Sequence, residues 1–171
     1  SWPGVALLPK KNRGETGSVA LSLHWGDEKS LFGKQTASSM ASAMLMRGNS
    51  KFSREQLADE FSKLKITGSV YHFETTRPNL ANALRLVAQV LKEPTFPATE
   101  FEQLRKQMLV SAEDLRNEPN ALAQQAMSQH FNQYPKGDWR APQTIDETSA
   151  NVQAVSLADV KAFHQNFYGA A

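Results

Sequence analysis

One amphipathic stretch, from Leu31 to Gly48, constrains the fold of this chain most strongly. Its apolar residues recur three and four positions apart, which is the spacing of one face of a helix. Another face of the same helix carries only small, unreactive side chains, those of Ser39, Ser42 and Ala43. The sequence therefore predicts a helix that packs on a core through Ala37, Met40, Ala41, Met44 and Leu45.

The chain before this helix has the pattern of β-strands. A short apolar run at Val5–Leu8 predicts a strand, and the polar segment Lys10–Gly17 predicts a hairpin connection. The segment Ser18–Trp25 alternates apolar and polar residues, which predicts a half-buried strand of an antiparallel sheet.

The chain after Gly48 is predominantly helical in pattern. Ser53 and Gln56 form a predicted capping box, and a second box at Ser156 and Asp159 opens the last helix. Between Tyr134 and Gln153 the sequence is rich in turns and then polar, and it predicts no element. Pro78 starts a helix, Glu93–Pro97 ends it, and Pro119 interrupts the next one before a helix over Ala121–Phe131. The predicted buried positions of four of these helices are Leu57, Phe61 and Leu64; Leu80, Ala83, Leu84, Val87 and Leu91; Phe101, Leu104, Met108, Ala112 and Leu115; and Val160, Phe163 and Phe167.

The order of these elements predicts the fold class. Strands lead, helices follow, and no linker or repeat divides the 171 residues. The chain is therefore expected to form one α+β domain, residues 1–171, with helices packed on an antiparallel sheet.

Composition excludes several classes of partner. Nineteen basic residues stand against 17 acidic ones, for a net charge of +2; this balance gives no reason to expect a nucleic-acid or anionic-membrane partner. The densest basic group, Lys10, Lys11 and Arg13, fits a solvated hairpin tip. No run approaches the roughly 18 apolar residues of a membrane span. Cysteine is absent, so there is neither a disulfide nor a thiolate metal site.

The order of elements around this helix resembles the pitrilysin/insulinase family of zinc peptidases. That order is a strand and a glycine turn, the Leu31–Gly48 helix, a Gly-Asn-Ser exit and a helix that begins at Ser53. Catalytic domains of that family carry the inverted motif H-x-x-E-H on this helix. When the exit-turn glycine is used as the anchor, Ser39, Ser42 and Ala43 occupy the positions of its first histidine, its glutamate and its second histidine. The resemblance is therefore closest to the non-catalytic repeat of such proteins.

The resemblance also indicates where a third zinc ligand would lie and where the sheet departs from the family. Matching around Phe101 and Pro119 places the third-ligand position near Ser111, with Glu113 two residues away. Glu113 and its acidic neighbours are expected to form a solvated helix face. In the family, the segment Ile66–Thr76 holds a two-stranded hairpin, but here it has room for barely one strand. Either the hairpin is deleted, or residues of a disordered loop near Val70 and Tyr71 are absent from the numbering.

The resemblance has implications for fold, for place in the parent protein and for function. It implies that helices cover one face of the sheet and that the chain is the first domain of the second, zinc-free half of a longer peptidase. The chain binds no cofactor itself; zinc belongs to the catalytic half of the same or a partner polypeptide. This domain then contacts that half and helps to enclose a peptide substrate, which the parent hydrolyses in the periplasm or cell envelope.

Two other classes of function stay open at the level of sequence. A standalone enzyme would need a site assembled by tertiary contact, for example from the dispersed histidines or from Ser38, Ser39 and Ser42, although no base lies nearby in sequence. A structural subunit would resemble the non-peptidase core proteins of respiratory complexes. Tyr134 and Trp139 flank a Pro-Gly turn and fit either a contact patch or a satellite core under a loop. The histidines are His24, His72, His130 and His164.

Overall fold

A computed structural model describes residues 15–168 of the chain. The predicted strand Val5–Leu8, the basic group from Lys10 to Arg13 and most of the predicted hairpin connection lie outside the described residues. Thr16 and Gly17, which were assigned to that connection, are instead the first residues of a strand.

Three strands of the described chain form one antiparallel sheet in the order β1-β3-β2: β1 Thr16–Ala20, β2 Thr67–Gly68 and β3 His72–Thr76. Strand β1 pairs with β3 so that Thr16 lies opposite Thr76 and Ala20 opposite His72. Along β3, Phe73 is buried and its neighbours His72 and Glu74 are exposed. One face of the sheet is therefore covered, and the predicted α+β class is confirmed.

The segment Ile66–Thr76 forms a two-stranded hairpin, so the expectation of room for only one strand was wrong. Gly68 makes this possible because its φ of +105° is open to glycine, and a Cβ there would lie 2.4 Å from the carbonyl oxygen of His72. The turn closes through a 2.8 Å bond from the Ser69 amide to the same oxygen. With only two residues, β2 is a short edge strand.

Strand β1 is shorter than the predicted strand Ser18–Trp25. Its last sheet bond runs from the Leu21 amide to the Tyr71 carbonyl, at 2.7 Å. Because the hairpin turn occupies the residues just before β3, the chain from Ser22 onward has no partner strand on that side.

Eight α-helices complete the described chain. Two short 3₁₀ turns, Leu45–Arg47 and Arg77–Asn79, extend the second helix and precede the fourth. The helices are α1 Glu28–Leu31, α2 Gln35–Met44, α3 Arg54–Lys63, α4 Leu80–Lys92, α5 Ala98–Arg116, α6 Pro119–His130, α7 Ile145–Ala154 and α8 Leu157–Phe167.

The core consists of two apolar clusters that meet at α2 and the 3₁₀ turn after it. One cluster lies between α2, α5 and α8, and the other lies between the sheet, α3 and α4. All five predicted core residues of the Leu31–Gly48 stretch are buried. Helix α2 is therefore held on its apolar side, as the sequence predicts.

Three details of the helices differ from the sequence-based expectation. Helix α4 buries Ala83 and Val87 as predicted, but it buries Leu86 and Val90 beside them, and Leu84 is 40% exposed. Leu115 is 46% exposed at the end of α5, next to α6, which has no buried residue. The polar stretch before Gln153 contains α7, which a capping box between Thr144 and Glu147 initiates.

Candidate functional site: a cleft beside α2

The face of α2 that carries Ser39, Ser42 and Ala43 borders open space. Ser39 and Ala43 are exposed and Ser42 is half-buried. Together with Ser38 they form one wall of a cleft of about 620 Å³, which we call the α2 cleft. The other residues that line it are Leu21, Ser22, Leu23, Trp25, Tyr71 and Tyr168.

A chain of hydroxyl groups connects α2 to the hairpin and to the end of α8. The Ser42 hydroxyl lies 3.0 Å from the Tyr71 hydroxyl, which in turn lies 2.7 Å from that of Tyr168. Burial raises the pKa of Tyr168 well above its ordinary value, and the bond to Tyr71 raises it further. The phenol of Tyr168 therefore stays neutral, and Ser42 has a hydroxyl partner where a nucleophilic serine would need a base.

Aromatic stacking fixes Tyr168 at the back of the cleft. Its ring centroid lies 4.7 Å from that of Trp25 and 4.9 Å from that of His164. His164 Nε2 lies 2.8 Å from the carbonyl oxygen of Leu91. A carbonyl oxygen only accepts hydrogen bonds, so this nitrogen donates its proton and has no lone pair free for a metal.

The predicted third-ligand position does not line this cleft. Ser111 is exposed on α5, and Glu113 is exposed and bonded to Arg116, with 3.1 Å between Oε2 and Nε. The solvated-face interpretation of Glu113 is thus confirmed, whereas the assignment of Ser111 as the family's third-ligand position remains a prediction.

The structure does not gather the four histidines into a site. His24, His72 and His130 are exposed, and His164 is engaged as described above. Within residues 15–168, no group of three or more histidine, aspartate or glutamate side chains is placed to hold a metal ion.

A second cleft, of about 570 Å³, lies between the start of α2, α7 and α8. The carboxylates that line it are already bonded: Asp138 to Arg140, Glu147 to Lys136, and Asp159 to Ser156. These bonds lower the pKa of each carboxyl group. A general acid or base works best with a pKa near the operating pH. The lowered pKa of these three carboxyl groups lies further from neutral pH, so they are poorly suited to that role.

Sequence reasoning missed two of the residues that shape the α2 cleft. Tyr71 was considered only as a neighbour of a possible disordered loop, and Tyr168 was not among the predicted buried positions. The spacing of Val160, His164 and Tyr168 does contain the information, because positions four apart share a helix face. The contact between Tyr71 and Tyr168 spans 97 residues and has no counterpart in local sequence.

Comparison by sequence gives no relative: neither a protein-family model nor a curated protein matches the chain. Solved structures, in contrast, share its fold. The inactive domain of an M16 peptidase from Pseudomonas fluorescens matches with a TM-score of 0.61 and 22% identity, over 78% of this chain and 36% of that one.

Two proteases show the same similarity. A protease from Helicobacter pylori matches with a TM-score of 0.68 and 16% identity, over 94% of this chain and 44% of that one. The periplasmic protease PqqL from Escherichia coli matches with a TM-score of 0.63 and 12% identity, over 95% of this chain and 21% of that one. The chain therefore has the insulinase-like fold of M16 peptidases, and it spans less than half the length of each of these three chains.

Proposed function

We propose that this chain is a zinc-free, non-catalytic domain of an M16-type peptidase. In this proposal the domain forms part of the wall of a substrate chamber and contacts a catalytic half that carries zinc. The likeness to an inactive M16 domain from Pseudomonas fluorescens supports the proposal.

The observation that carries the proposal is the chemistry of the α2 face. Zinc in proteins is bound by cysteine, histidine, aspartate or glutamate. Where the family has two histidines and a glutamate, this cleft has the hydroxyls of Ser39 and Ser42 and the methyl group of Ala43. These residues do not fit the metal, and no catalytic step is assigned to them.

What the cleft retains is the ability to enclose a peptide. Leucine and tryptophan side chains give it apolar contact area, and a row of hydroxyls offers hydrogen bonds. Such a mixture of apolar wall and few polar groups is typical of binding sites. The location proposed for the whole protein is the periplasm or cell envelope, a proposal supported by the likeness to the periplasmic protease PqqL.

The second candidate is a structural subunit of a larger complex without a peptidase role. The observation that favours it is again the lack of ligands in the α2 cleft, since such a subunit needs none. The two candidates differ in their partner and not in this domain's own residues.

The experiment that separates them is isolation of the native assembly from its source organism through a tag on this chain. The proposal expects a stoichiometric polypeptide, or a further segment of the same polypeptide, with an H-x-x-E-H helix and bound zinc. An assembly of defined composition without any such helix contradicts the proposal and supports the structural subunit.

A further inference from the structure

A small pocket opens beside the α2 cleft, between two tryptophans. Trp25, Leu31 and Trp139 supply its apolar walls, and Lys34, Gln35 and Ser38 complete it; we call it the tryptophan pocket. Its volume is about 100 Å³. A closed cavity of about 150 Å³ lined by aliphatic and aromatic side chains binds benzene. The tryptophan pocket is smaller but opens to the surface, so it can take the end of one apolar side chain such as leucine.

The inner wall of this pocket is rigid because aromatic rings hold Trp25 from behind. Its ring centroid lies 4.7 Å from that of Tyr168 and 6.4 Å from that of Phe163, which meets it edge-on. Trp25 therefore needs little reordering when a ligand arrives, and a site that is already ordered binds at lower entropic cost.

The outer wall, Trp139, is 48% exposed and lies in a braced turn. The Arg140 guanidinium lies 5.8 Å from the Trp139 ring centroid and bonds Glu28 at 2.7 Å and Asp138 at 2.8 Å. The Gly33 amide also bonds the carbonyl oxygen of Gly137 at 2.8 Å. Trp139 is thus an exposed aromatic on a fixed support, and it does not belong to a satellite core under the loop. Tryptophan in such a setting is enriched among the residues that dominate binding energy.

The pocket adjoins the α2 cleft, because Trp25 and Ser38 line both. A molecule that lies in the cleft can therefore place a side chain between the tryptophans. An extended peptide has this shape, since its side chains project on alternate sides of the backbone.

The charge around the two cavities selects among peptides. Among the described residues that line them, Lys34 is the one charged side chain. Its ammonium group donates to the Ser30 carbonyl oxygen at 2.6 Å and has two further protons to offer. Arg140 nearby is already balanced by Asp138 and Glu28. A carboxylate on the ligand would complement the remaining positive charge.

We infer that the tryptophan pocket binds one leucine-sized apolar side chain of a peptide that lies in the α2 cleft and carries an acidic residue next to the apolar one. The inference rests on the proposed function, because it names the kind of peptide that the chamber wall selects. It assigns to this domain a role in substrate choice that is separate from hydrolysis.

The test measures binding of three fluorescent octapeptides to the full 171-residue chain by fluorescence anisotropy. The peptides have an alanine-glycine background and differ at two central positions, which are Leu-Glu, Ala-Glu or Leu-Gln. We expect Leu-Glu to bind about tenfold more tightly than Ala-Glu, because the leucine buries its side chain, and about threefold more tightly than Leu-Gln.

Substitutions assign these differences to the pocket. Trp139→Ala should weaken binding of Leu-Glu to the level of Ala-Glu, and Lys34→Gln should remove only the difference between Leu-Glu and Leu-Gln. Matched controls are Phe131→Ala, an aromatic that is 69% exposed, and Lys161→Gln on the exposed face of α8. The controls should change each Kd less than about twofold, and thermal unfolding should show that every variant is folded.

The inference is overturned if Leu-Glu and Ala-Glu bind equally, if none of the peptides binds, or if Trp139→Ala has no larger effect than Phe131→Ala. None of these measurements needs the catalytic half. If the peptides do not bind as expected, the proposed function is unaffected. If the native assembly lacks an H-x-x-E-H helix, the proposed function is contradicted, but the selectivity of the pocket can still be measured.

Discussion

At the scale of single residues, hydrogen-bond partners decide what each polar group can do. Ser42 shares a hydrogen bond with the hydroxyl of Tyr71, and His164 Nε2 donates its proton to a backbone carbonyl. The Ser42 hydroxyl is therefore paired with another hydroxyl, and His164 Nε2 has no lone pair left for a metal. The sequence shows which residue types occupy these positions, but only tertiary contacts show that their bonding capacity is used.

The ion pair between Asp138 and Arg140 leads to a prediction about pH. Hydrogen bonds from Arg140 lower the pKa of the Asp138 carboxyl from 3.8 to about 2. A folded-state pKa below the unfolded one stabilises the fold above the unfolded value, and the contribution disappears as the pH falls through the folded value. We therefore expect the free energy of unfolding to decrease between pH 3.8 and about 2 partly through this carboxyl.

Chemical denaturation of Asp138→Asn across this pH range checks the prediction. The variant should be less stable than the parent at neutral pH, and its stability should fall less steeply as the pH decreases. Asp114→Asn, at an exposed position of α5, is the control and should retain the slope of the parent. The same slope in the parent and in Asp138→Asn would mean that the ion pair does not form in solution.

At the scale of elements, the sequence predicts the existence of a helix better than the face it buries. The helix α2 has only one continuous apolar face, so its core residues were predicted correctly. Apolar residues cover most of α4, including both Leu84 and Leu86, so periodicity alone does not choose among its faces. The helix α7 was missed because its only deeply buried residue is Val152. The β2–β3 hairpin was not expected because the segment was judged too short for two strands. It fits because β2 has only two residues and Gly68 allows a tight turn with a φ of +105°.

Two leucines of α4, two positions apart, give a matched test of its buried face. Leu86 is 7% exposed and Leu84 is 40% exposed. Leu86→Ala should cost about 2–5 kcal/mol of unfolding free energy, because it leaves a cavity in the core. Leu84→Ala should cost far less, because the site is already in contact with solvent. Equal losses in urea denaturation would mean that α4 is rotated relative to the sheet.

The alignment of α2 with the family's zinc helix can be tested by rebuilding the motif. Ser39→His, Ser42→Glu and Ala43→His place two histidines one turn apart on the cleft face, and Ser111→Glu supplies the predicted third ligand. Ser39 and Ala43 are exposed and should accept the larger side chains. Ser42 is half-buried against Tyr71, so its replacement should cost about 1–3 kcal/mol.

Zinc affinity of the quadruple variant is the measurement, with the triple variant that keeps Ser111 as the control. If Ser111 is the counterpart of the family's third ligand, the quadruple variant should bind zinc more tightly than the triple variant and the parent, because zinc sites use at least three protein ligands. Equal affinity of the quadruple and triple variants would mean that Ser111, which does not line the α2 cleft, is not that counterpart. A folded quadruple variant that binds no better than the parent would show that the four positions are not the counterparts of the family's ligands and base.

At the scale of the whole molecule, the fold was predictable and the wider assembly was not. The order of strands and helices was enough to predict helices packed on an antiparallel sheet, and the structure confirms it. No helix within residues 15–168 is long and apolar enough to cross a membrane. The contacts that would join this domain to a catalytic half lie outside a single chain's own packing, so they stay part of the proposal.

The central claim is that this chain contributes binding surface and no metal chemistry to a peptidase. The most direct test is to measure zinc content and hydrolysis of a mixed peptide library for the purified chain and for the native assembly. After dialysis against a weak chelator, the chain should retain well under one equivalent of zinc and hydrolyse nothing, whereas the assembly should retain zinc and hydrolyse peptides. A tightly held equivalent of zinc in the chain alone, or hydrolysis that a substitution at Ser42 abolishes, would contradict the claim.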